Sequence, residues 1–325
     1  MGEISANSSC DVSVIIVNWN LKDFLLEAVD SVYQTITERT FEVIVVDNAS
    51  TDGSAKALRE RFPDVKLIEL EKNLGFGAGN NRGIELASGR YFLLLNNDAQ
   101  LQKGAVEALV EYMDGNEDAG ICGGQLINSD GSLQNSFDNV PNLATELLNK
   151  SLLRRLNPSR YPSKLQEAGE PREVEVVIGA MMMVHAETVH QLGGFDEDYF
   201  MFFEETDLCH RFSKAGRRVV QVPSARAIHH QGASSVRRNP GPSRIEYARS
   251  RNCFFRKWSS PPTCWVLGTG IFLKVIVNLI LNLMAGILTL FLHRKVRERI
   301  QIYSTLLLWH LLLCPDSMGL RPKEH

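Results

Sequence analysis

The chain has 325 residues, of which 44% are hydrophobic and 22% are charged, so it can bury a large core. This composition excludes an intrinsically disordered chain. The formal net charge of −3 gives no global electrostatic reason to bind nucleic acid, so no nucleic-acid partner is expected.

Short β-branched runs alternate with helical stretches between residues 12 and 123. Strands are predicted at 12–17, 41–47, 65–70, 91–96 and 120–124. Helices are predicted between them at 21–34, 51–62, 79–87 and 103–114. This alternation is typical of βαβ units, and it predicts an α/β fold with a mostly parallel sheet flanked by helices.

Polar side chains gather where three of the predicted strands end. They are Asn18, Asn20, Asp47, Asn48, Asn96, Asn97 and Asp98. Because ligands of open parallel sheets bind beyond the carboxyl ends of the strands, these residues outline one site. Asn48 and nearby Asp52 are better explained as helix caps or turn residues, whereas Asp47 and Asp98 are the preferred functional acids.

Residues 133–173 lose the alternation and become polar and proline-rich, which indicates an insertion or a connection over the acceptor side. An apolar stretch follows at 174–184. In the segment 202–211, Asp207 and Arg211 are spaced for an i,i+4 ion pair on a helix.

The C-terminal part is hydrophobic, with an uncharged run at 275–292, a basic cluster at 293–299 and a second apolar run at 302–314. Lys274, Asn278 and Asn282 form a polar stripe on a helix. Basic residues on both sides argue against a single crossing, so an interfacial or re-entrant hairpin is favoured. A transmembrane span and a buried core or oligomer helix stay open as alternatives.

The six cysteines are far apart and form no CxxC pair, which favours reduced thiols in a cytosolic setting. The first ten residues lack a basic region followed by an apolar run, so no secretory signal is expected. These features predict a protein on the cytoplasmic face of the membrane, associated through residues of about 265–314. The basic stretch 237–257 is expected to contact the membrane or a pyrophosphate lipid.

Six motifs together resemble glycosyltransferase family 2, especially its bacterial rhamnosyltransferase-like members, over roughly residues 11–260. They are VSVIIVNWN (12–20), VVDNASTDG (45–53), NLGFGAGNNRG (73–83), LLNNDA (94–99), FFEETDLCHR (202–211) and HHQGAS (229–234). The resemblance implies a GT-A fold, the fold of nucleotide-diphospho-sugar transferases. It divides the chain into a catalytic domain at 1–260 and a hydrophobic helical, membrane-associated region at 261–325.

The resemblance also implies how the donor is bound. Asp47 would meet the nucleotide base and Asn20 the nucleoside region, with Asn18 in the same strand-end loop. The glycines of 75–79 would allow close backbone approach to the donor, with Asn80 and Arg82 near its phosphates or in structural contacts. This loop follows the third predicted strand and lacks the full GxGxxG spacing, so a nicotinamide cofactor is rejected.

The resemblance further implies a divalent metal, Mg²⁺ or Mn²⁺. The family's metal-binding DxD motif reads Asn96-Asn97-Asp98 here, with Asp98 as its one carboxylate and Asn96 and Asn97 as donor contacts. His229 would be a second contact to the metal or the diphosphate, with His230 as its competitor. Glu205 matches the catalytic base of the family, and Glu204 is its rival.

The predicted function is inverting transfer of a sugar from a nucleotide-diphosphate donor, with dTDP-rhamnose or a UDP-sugar as candidates. The acceptor is expected to be a lipid-linked saccharide in cell-envelope polysaccharide assembly, at the membrane surface. A processive synthase is disfavoured because no QxxRW motif is present. The alternative is a catalytically weak, sugar-nucleotide-binding scaffold. The oligomeric state is not predicted.

Overall fold

The computed structural model describes residues 10–162, 169–230, 240–315 and 317–321. Two expectations concern residues outside this part of the chain. The expected lack of a secretory signal rests on the N-terminal segment 1–9. The expected membrane or lipid contact of the basic stretch 237–257 rests in part on Arg237 and Arg238.

The described residues contain eleven strands and eleven helices, numbered in chain order. The strands are β1 Cys10–Asn18, β2 Phe41–Asp47, β3 Lys66–Glu69, β4 Gly89–Asn96, β5 Ala99–Leu101, β6 Ala119–Ile127, β7 Phe137–Asp138, β8 Arg172–Glu173, β9 Val176–Val177, β10 Met181–His185 and β11 Arg218–His229. The helices are α1 Lys22–Thr35, α2 Ser54–Arg61, α3 Phe76–Leu86, α4 Ala105–Asp114, α5 Leu143–Leu147, α6 Lys150–Leu156, α7 Ala186–Gln191, α8 Glu204–Lys214, α9 Pro240–Trp258, α10 Pro261–Leu288 and α11 Arg294–Leu311. Every strand and helix predicted between residues 12 and 123 is confirmed, with ends that move by a few residues.

The main sheet has nine strands in the order β3-β2-β1-β4-β10-β6-β11-β5, and β8 pairs with β11. Strands β3, β2, β1 and β4 are parallel to one another, and β6 is parallel to β11. Strand β10 runs antiparallel between β4 and β6. The mostly parallel sheet is therefore confirmed, although the sequence pattern did not predict the antiparallel strand in its middle.

Helices cover both faces of the sheet because both faces of its central strands are apolar. In β1, Val14 and Ile16 join one buried cluster with residues of α1 and α4, whereas Ile15 joins a second cluster with residues of α3, α7 and α8. The central strands are therefore apolar over most of their length, with buried polar exceptions such as Ser13 in β1 and Gln125 in β6.

The chain folds into two compact units. The first comprises residues 1–140, 164–197 and 204–234, and it holds the sheet with α1–α4, α7 and α8. The second comprises residues 141–163, 198–203 and 235–325, with α5, α6 and α9–α11. The predicted insertion at 133–173 therefore contributes to both units, and α9 groups with the C-terminal helices. The division of the chain into catalytic and membrane-associated regions at residue 260 stays a prediction.

In the second unit, α10 and α11 form a helical hairpin that packs against α9. Trp309 of α11 is buried against Ile245 and Ala248 of α9. In the described part of the chain, α10 is the one helix long and apolar enough to cross a membrane, by length and composition alone. Its outer surface exposes large apolar side chains, among them Trp265 and Leu288.

Candidate active site

The ends of β1 and β2 bring Asn18 and Asp47 side by side, because the two residues are paired in the parallel register. The Asn18 amide donates to Oδ1 of Asp47 at 3.0 Å, and the backbone N–H of Ser50 donates to Oδ2 at 3.0 Å. The Asn97 amide donates to Oδ1 of Asn18 at 2.8 Å. Asn18 and Asp47 are both buried. The three strand ends expected to form one site thus meet in one hydrogen-bond network, in which Asn18 positions the other two side chains.

Asn20 closes the first of these strand-end loops onto the second. Its φ of +53° lies in the left-handed region, which Asn tolerates better than most residues. Its N–H donates to Oγ of Ser50 at 2.9 Å, and its Oδ1 accepts the N–H of Thr51 at 2.8 Å. Its side chain therefore fixes the loop that follows Asp47.

Asn48 and Asp52 have the structural roles that sequence reasoning favoured. Asn48 accepts the N–H of Leu74 at 2.8 Å and donates to the carbonyl of Gly75 at 2.9 Å. Asp52 accepts the N–H of Lys22 at 2.8 Å and that of Ser54 at 3.0 Å, at the starts of α1 and α2. Both side chains hold loops in place.

The glycines of the 75–83 segment serve mainly the packing of α3 on the sheet. A Cβ on Gly79 would lie 2.8 Å from Cγ1 of Val17, and one on Gly83 would overlap Ile15. The close approach that these two glycines permit is between helix and strand. The approach of the 75–79 backbone to a donor stays a prediction. Gly75 is different, because its φ of +90° marks the turn into α3.

Asn80 and Arg82 make contacts within the protein. The buried Asn80 donates to the carbonyl of Phe76, one turn earlier in α3, at 2.9 Å. Arg82 forms ion pairs with Glu85 at 2.6 Å and Glu197 at 3.4 Å. The sequence left two roles open for these residues, contact with the donor phosphates and contacts within the protein. The observed contacts favour the second role.

Asp98 and His229 lie together because β5 pairs with the end of β11, in a register that sets Ala99 opposite His229. Nε2 of His229 is 3.3 Å from Oδ1 of Asp98, and both side chains are buried. The backbone N–H of His230 donates to the carbonyl of Asp98 at 2.9 Å, but its ring contacts Ser129 instead, with Nδ1 3.1 Å from Oγ. Of the two histidines, His229 is the one that faces the acid.

The tautomer of His229 is set by Gln134. The Gln134 amide nitrogen donates to two carbonyl oxygens, one of the His229 backbone and one of the Asn128 side chain. Its Oε1 therefore faces Nδ1 of His229, at 3.0 Å, and accepts the proton there. With the proton of a neutral imidazole on Nδ1, the lone pair of Nε2 would face Asp98, as a metal-ligating histidine requires.

Glu205 lies in the first turn of α8, which follows two consecutive non-glycine residues with positive φ, Phe202 and Phe203. A Cβ on Gly179 would lie 3.6 Å from Cβ of Glu205. The next residue, Ala180, accepts the N–H of Asn96 at 3.0 Å. The start of α8 therefore lies beside the carboxyl end of β4, where the metal motif begins.

The Glu205 carboxyl group has one oxygen, Oε2, that is buried. Among the described residues its Oε2 has no hydrogen-bond partner. Burial, with a smaller contribution from the charge of Asp138, raises the pKa of Glu205 to about 6. Glu204 precedes it in the same turn, and its Cβ lies 3.5 Å from the position of a Cβ on Gly77 of α3. The two candidate bases therefore contact different elements, and the choice of Glu205 over Glu204 stays a prediction.

The predicted ion pair of α8 is confirmed, with Nε of Arg211 2.8 Å from Oδ2 of the buried Asp207. Arg211 also donates to the carbonyls of Leu192 and Gly194 at 2.8 and 2.6 Å. These contacts anchor α8 and hold the start of the helix at the site.

Residues 13–193 match the family model described as Glycosyl transferase family 2. The chain belongs to glycosyltransferase family 2. It is 33% identical to an N-acetylglucosaminyl-diphospho-decaprenol L-rhamnosyltransferase of Mycobacterium tuberculosis, over 71% of this chain and 81% of the other. It is 25% identical to a dTDP-rhamnosyl transferase of Shigella flexneri, over 70% of this chain and 71% of that one.

This family 2 glycosyltransferase has the fold that its motifs imply. A solved mannosyltransferase of Pyrobaculum calidifontis, in complex with GDP-Man and Mn²⁺, superposes with a TM-score of 0.56 at 19% identity, covering 93% of this chain and 88% of the other. At that identity the likeness concerns the fold alone, and it confirms the GT-A fold.

Sequence reasoning missed three residues that contact or influence the candidate site residues. Gln134 orients His229, Asp138 adds its charge near Glu205, and Gly179 lies against Glu205. Gln134 and Asp138 belong to the predicted polar insertion, where no periodicity assigns a side chain to the site. The GT-A motifs carry no signal for them.

Proposed function

We propose that this glycosyltransferase inverts the anomeric centre as it moves a sugar from a nucleotide-diphosphate donor to a lipid-linked saccharide of the cell envelope. The names of its relatives support rhamnose on a deoxythymidine diphosphate as the donor and a diphospho-prenol saccharide as the acceptor. The observation that carries the proposal is the half-buried Glu205 at the start of α8, beside the end of β4, with its Oε2 enclosed and its pKa raised to about 6.

Glu205 acts as the general base. A carboxylate with a pKa close to the working pH accepts a proton well and is still ionised at pH 7. It takes the proton of the acceptor hydroxyl as that oxygen forms a bond to the anomeric carbon. The bond from the anomeric carbon to the phosphate oxygen breaks on the opposite face, and the nucleoside diphosphate leaves with the electron pair.

Asp98 and His229 fit a divalent metal, Mg²⁺ or Mn²⁺, because a carboxylate oxygen and the imidazole Nε2 face each other 3.3 Å apart. Within the described residues no group of three or more His, Cys, Asp or Glu side chains could hold the ion. The remaining ligands are therefore expected from the donor diphosphate. When bound, the cation offsets the negative charge that develops on the leaving diphosphate.

Asp47, Asn20 and the network through Asn18 and Asn97 would hold the nucleoside end of the donor, close to the metal pair. The α10–α11 hairpin would rest on the cytoplasmic face of the membrane. The apolar side chains exposed on α10 support that placement.

The test is turnover by detergent-solubilised protein with a panel of nucleotide-diphosphate sugars and a lipid-linked acceptor, with and without Mn²⁺. Release of nucleoside diphosphate is expected from one donor, and Glu205→Gln and Asp98→Ala are expected to lower it by a factor of about 100 or more. Glu60→Gln, on the exposed side of α2, is the matched control. Donor binding without release, even with acceptor present, would instead support the sugar-nucleotide-binding scaffold.

A further inference from the structure

The second compact unit contains a cavity of about 410 Å³ that the transfer chemistry above does not use. Side chains of α5, α9, α10 and α11 and the first residue of α6 line it. Five of the lining residues are cationic: Lys150, Arg244, Arg251, Lys274 and Arg299. Glu146 is the one acidic residue among them. The cavity therefore carries a strong excess of positive charge.

Arg251 is the informative cation because it is only 6% exposed. Its Nη2 donates to the side-chain oxygen of Asn252 at 3.3 Å, and its Nε has no partner among the described residues. Burial lowers the pKa of the guanidinium group, which is the signature of a charge held away from water. The charge of Glu146, in the same cavity, opposes this effect without overcoming it. An anion in the cavity would offset the remaining cost of burying the guanidinium group.

A neighbouring cation outside the cavity has a carboxylate partner within the protein, unlike the cations that line the cavity. Arg249, two residues from Arg251, is paired with the buried Glu246 at 2.5 Å. In the described part of the chain, by contrast, none of the five cavity cations forms an ion pair. Nζ of Lys274 donates to the backbone carbonyl of Glu146 at 2.9 Å, which leaves its charge uncompensated.

A more apolar recess of about 650 Å³ lies next to the cationic cavity, because His310 lines both. Trp265, Gly268 and Phe272 of α10 line this recess. Beyond it, α10 exposes further apolar side chains such as Val277 and Leu281. A cationic cavity that continues into an apolar recess is complementary to a phosphorylated amphiphile.

We propose that the cationic cavity of α9, α10 and α11 binds the diphosphate group of the lipid-linked acceptor, while the apolar chain of that lipid follows the recess and the exposed side of α10. This assignment rests on the proposed function for the identity of the lipid. A diphosphate suits the site because it presents several anionic oxygens to guanidinium and ammonium donors at once. The polar stripe of Lys274 and Asn278 then faces the ligand, since both residues line the cavity.

The test measures equilibrium binding of farnesyl diphosphate to the full-length protein in a non-ionic detergent, without any sugar donor. Lys274→Gln and Arg299→Gln are expected to weaken binding about tenfold each, as the loss of one charge-assisted contact implies. Lys295→Gln, on an exposed residue one turn before Arg299 and outside the cavity, is the control and should bind like the wild type. Arg251→Gln should lose binding entirely if the variant folds. If it does not fold, the substitutions at the exposed residues Lys274 and Arg299 still test the site.

Separate arms distinguish the sources of the phosphate. Farnesol should bind at least tenfold more weakly than farnesyl diphosphate, and inorganic diphosphate should compete only weakly. Equal binding of farnesyl diphosphate by Lys274→Gln, Arg299→Gln and wild type would overturn the site. If these variants lose binding to phosphatidylglycerol vesicles and keep farnesyl diphosphate, the site belongs to a phospholipid headgroup and the acceptor assignment fails.

Because no donor is present, the result is independent of turnover. Transfer activity without binding of farnesyl diphosphate would leave the proposed function standing and reject this site. Binding of farnesyl diphosphate without transfer from any donor would support this site and reject the proposed function.

Discussion

Glu205 combines two properties that conflict with stability. Its Oε2 is enclosed without a hydrogen-bond partner among the described residues, and desolvation raises the pKa of the carboxyl group to about 6. Ionising it in the folded protein therefore costs free energy. Such a conflict is characteristic of a residue kept for its chemistry.

The pH dependence of the rate follows from that pKa. A base must be deprotonated to act, so kcat/KM is expected to rise with pH through about 6 and to level off above it. A pH–rate profile of the wild type measures this. A rate that stays constant from pH 5 to 8 would remove Glu205 from the role of base.

The same shift predicts an effect on stability that does not involve activity. Between pH 4.5 and about 6, the folded protein holds a proton on Glu205 that the unfolded chain has lost, so the free energy of unfolding falls as the pH rises. Glu205→Gln should therefore be more stable than wild type above pH 6, by on the order of 2 kcal/mol, and should lose this advantage below pH 4.5. Thermal unfolding at pH 4 and pH 7.5 tests it, with Glu60→Gln as the control.

Gln134 provides a second test at this scale, because it fixes the tautomer of His229 from outside the metal pair. Gln134→Leu removes the acceptor of Nδ1–H, and it should weaken apparent Mn²⁺ affinity by a factor of about 10 to 100. Donor affinity without metal should change little. Titration of the transfer rate with Mn²⁺ measures the effect, and an unchanged half-saturation concentration would contradict it.

At the scale of elements, helix α3 lies so close to β1 that glycine is required where they touch. A Cβ on Gly83 would overlap Ile15, which is fully buried in the sheet. Gly83→Ala is therefore expected to lower the free energy of unfolding by about 1 to 3 kcal/mol, despite the better helix propensity of Ala. Gly169→Ala, where a Cβ would meet nothing within 4 Å, is the control in urea denaturation. Equal midpoints for the two variants would show that α3 can move away from the strand.

The elements also show where sequence reasoning works and where it stops. Strands β1, β2 and β4 could be predicted because each is an apolar run that ends in polar residues. The parallel register of β1 and β2 then places Asn18 beside Asp47. Strand β10 was not predicted, because an apolar run does not reveal the direction of its strand or the neighbours that it joins. Residues such as Gln134 and Gly179 reach the site only through tertiary contacts, which leave no periodic trace.

At the scale of the whole molecule, the exposed apolar surface of α10 predicts a strong preference for lipid. Leu281 is 57% and Leu288 84% exposed. Leu281→Lys combined with Leu288→Lys should weaken binding to vesicles at least tenfold, because each buried leucine contributes roughly 1.5 to 3 kcal/mol. Leu86→Lys, on an exposed residue of α3, is the control in vesicle co-sedimentation.

A second measurement on the same membranes separates the alternatives for the hairpin. An interfacial hairpin should be released by an alkaline carbonate wash, whereas a re-entrant hairpin or a spanning helix, both embedded in the hydrocarbon core, should stay in the pellet. If the two leucine substitutions leave vesicle binding unchanged, the result would favour a buried or oligomer-forming helix instead.

The antiparallel strand in the middle of the sheet has a consequence for the order of events during synthesis. Strand β4 ends at Asn96, but the strand that covers its free edge begins at Met181, and both neighbours of β6 are also made later. At translation rates of about 5–20 residues per second, the nascent chain carries open, apolar strand edges for seconds. Such edges invite pairing with other chains. Chains stopped before residue 181 should therefore depend on chaperones that shield these edges, and the ribosome must deliver β10 before the two halves of the sheet can join.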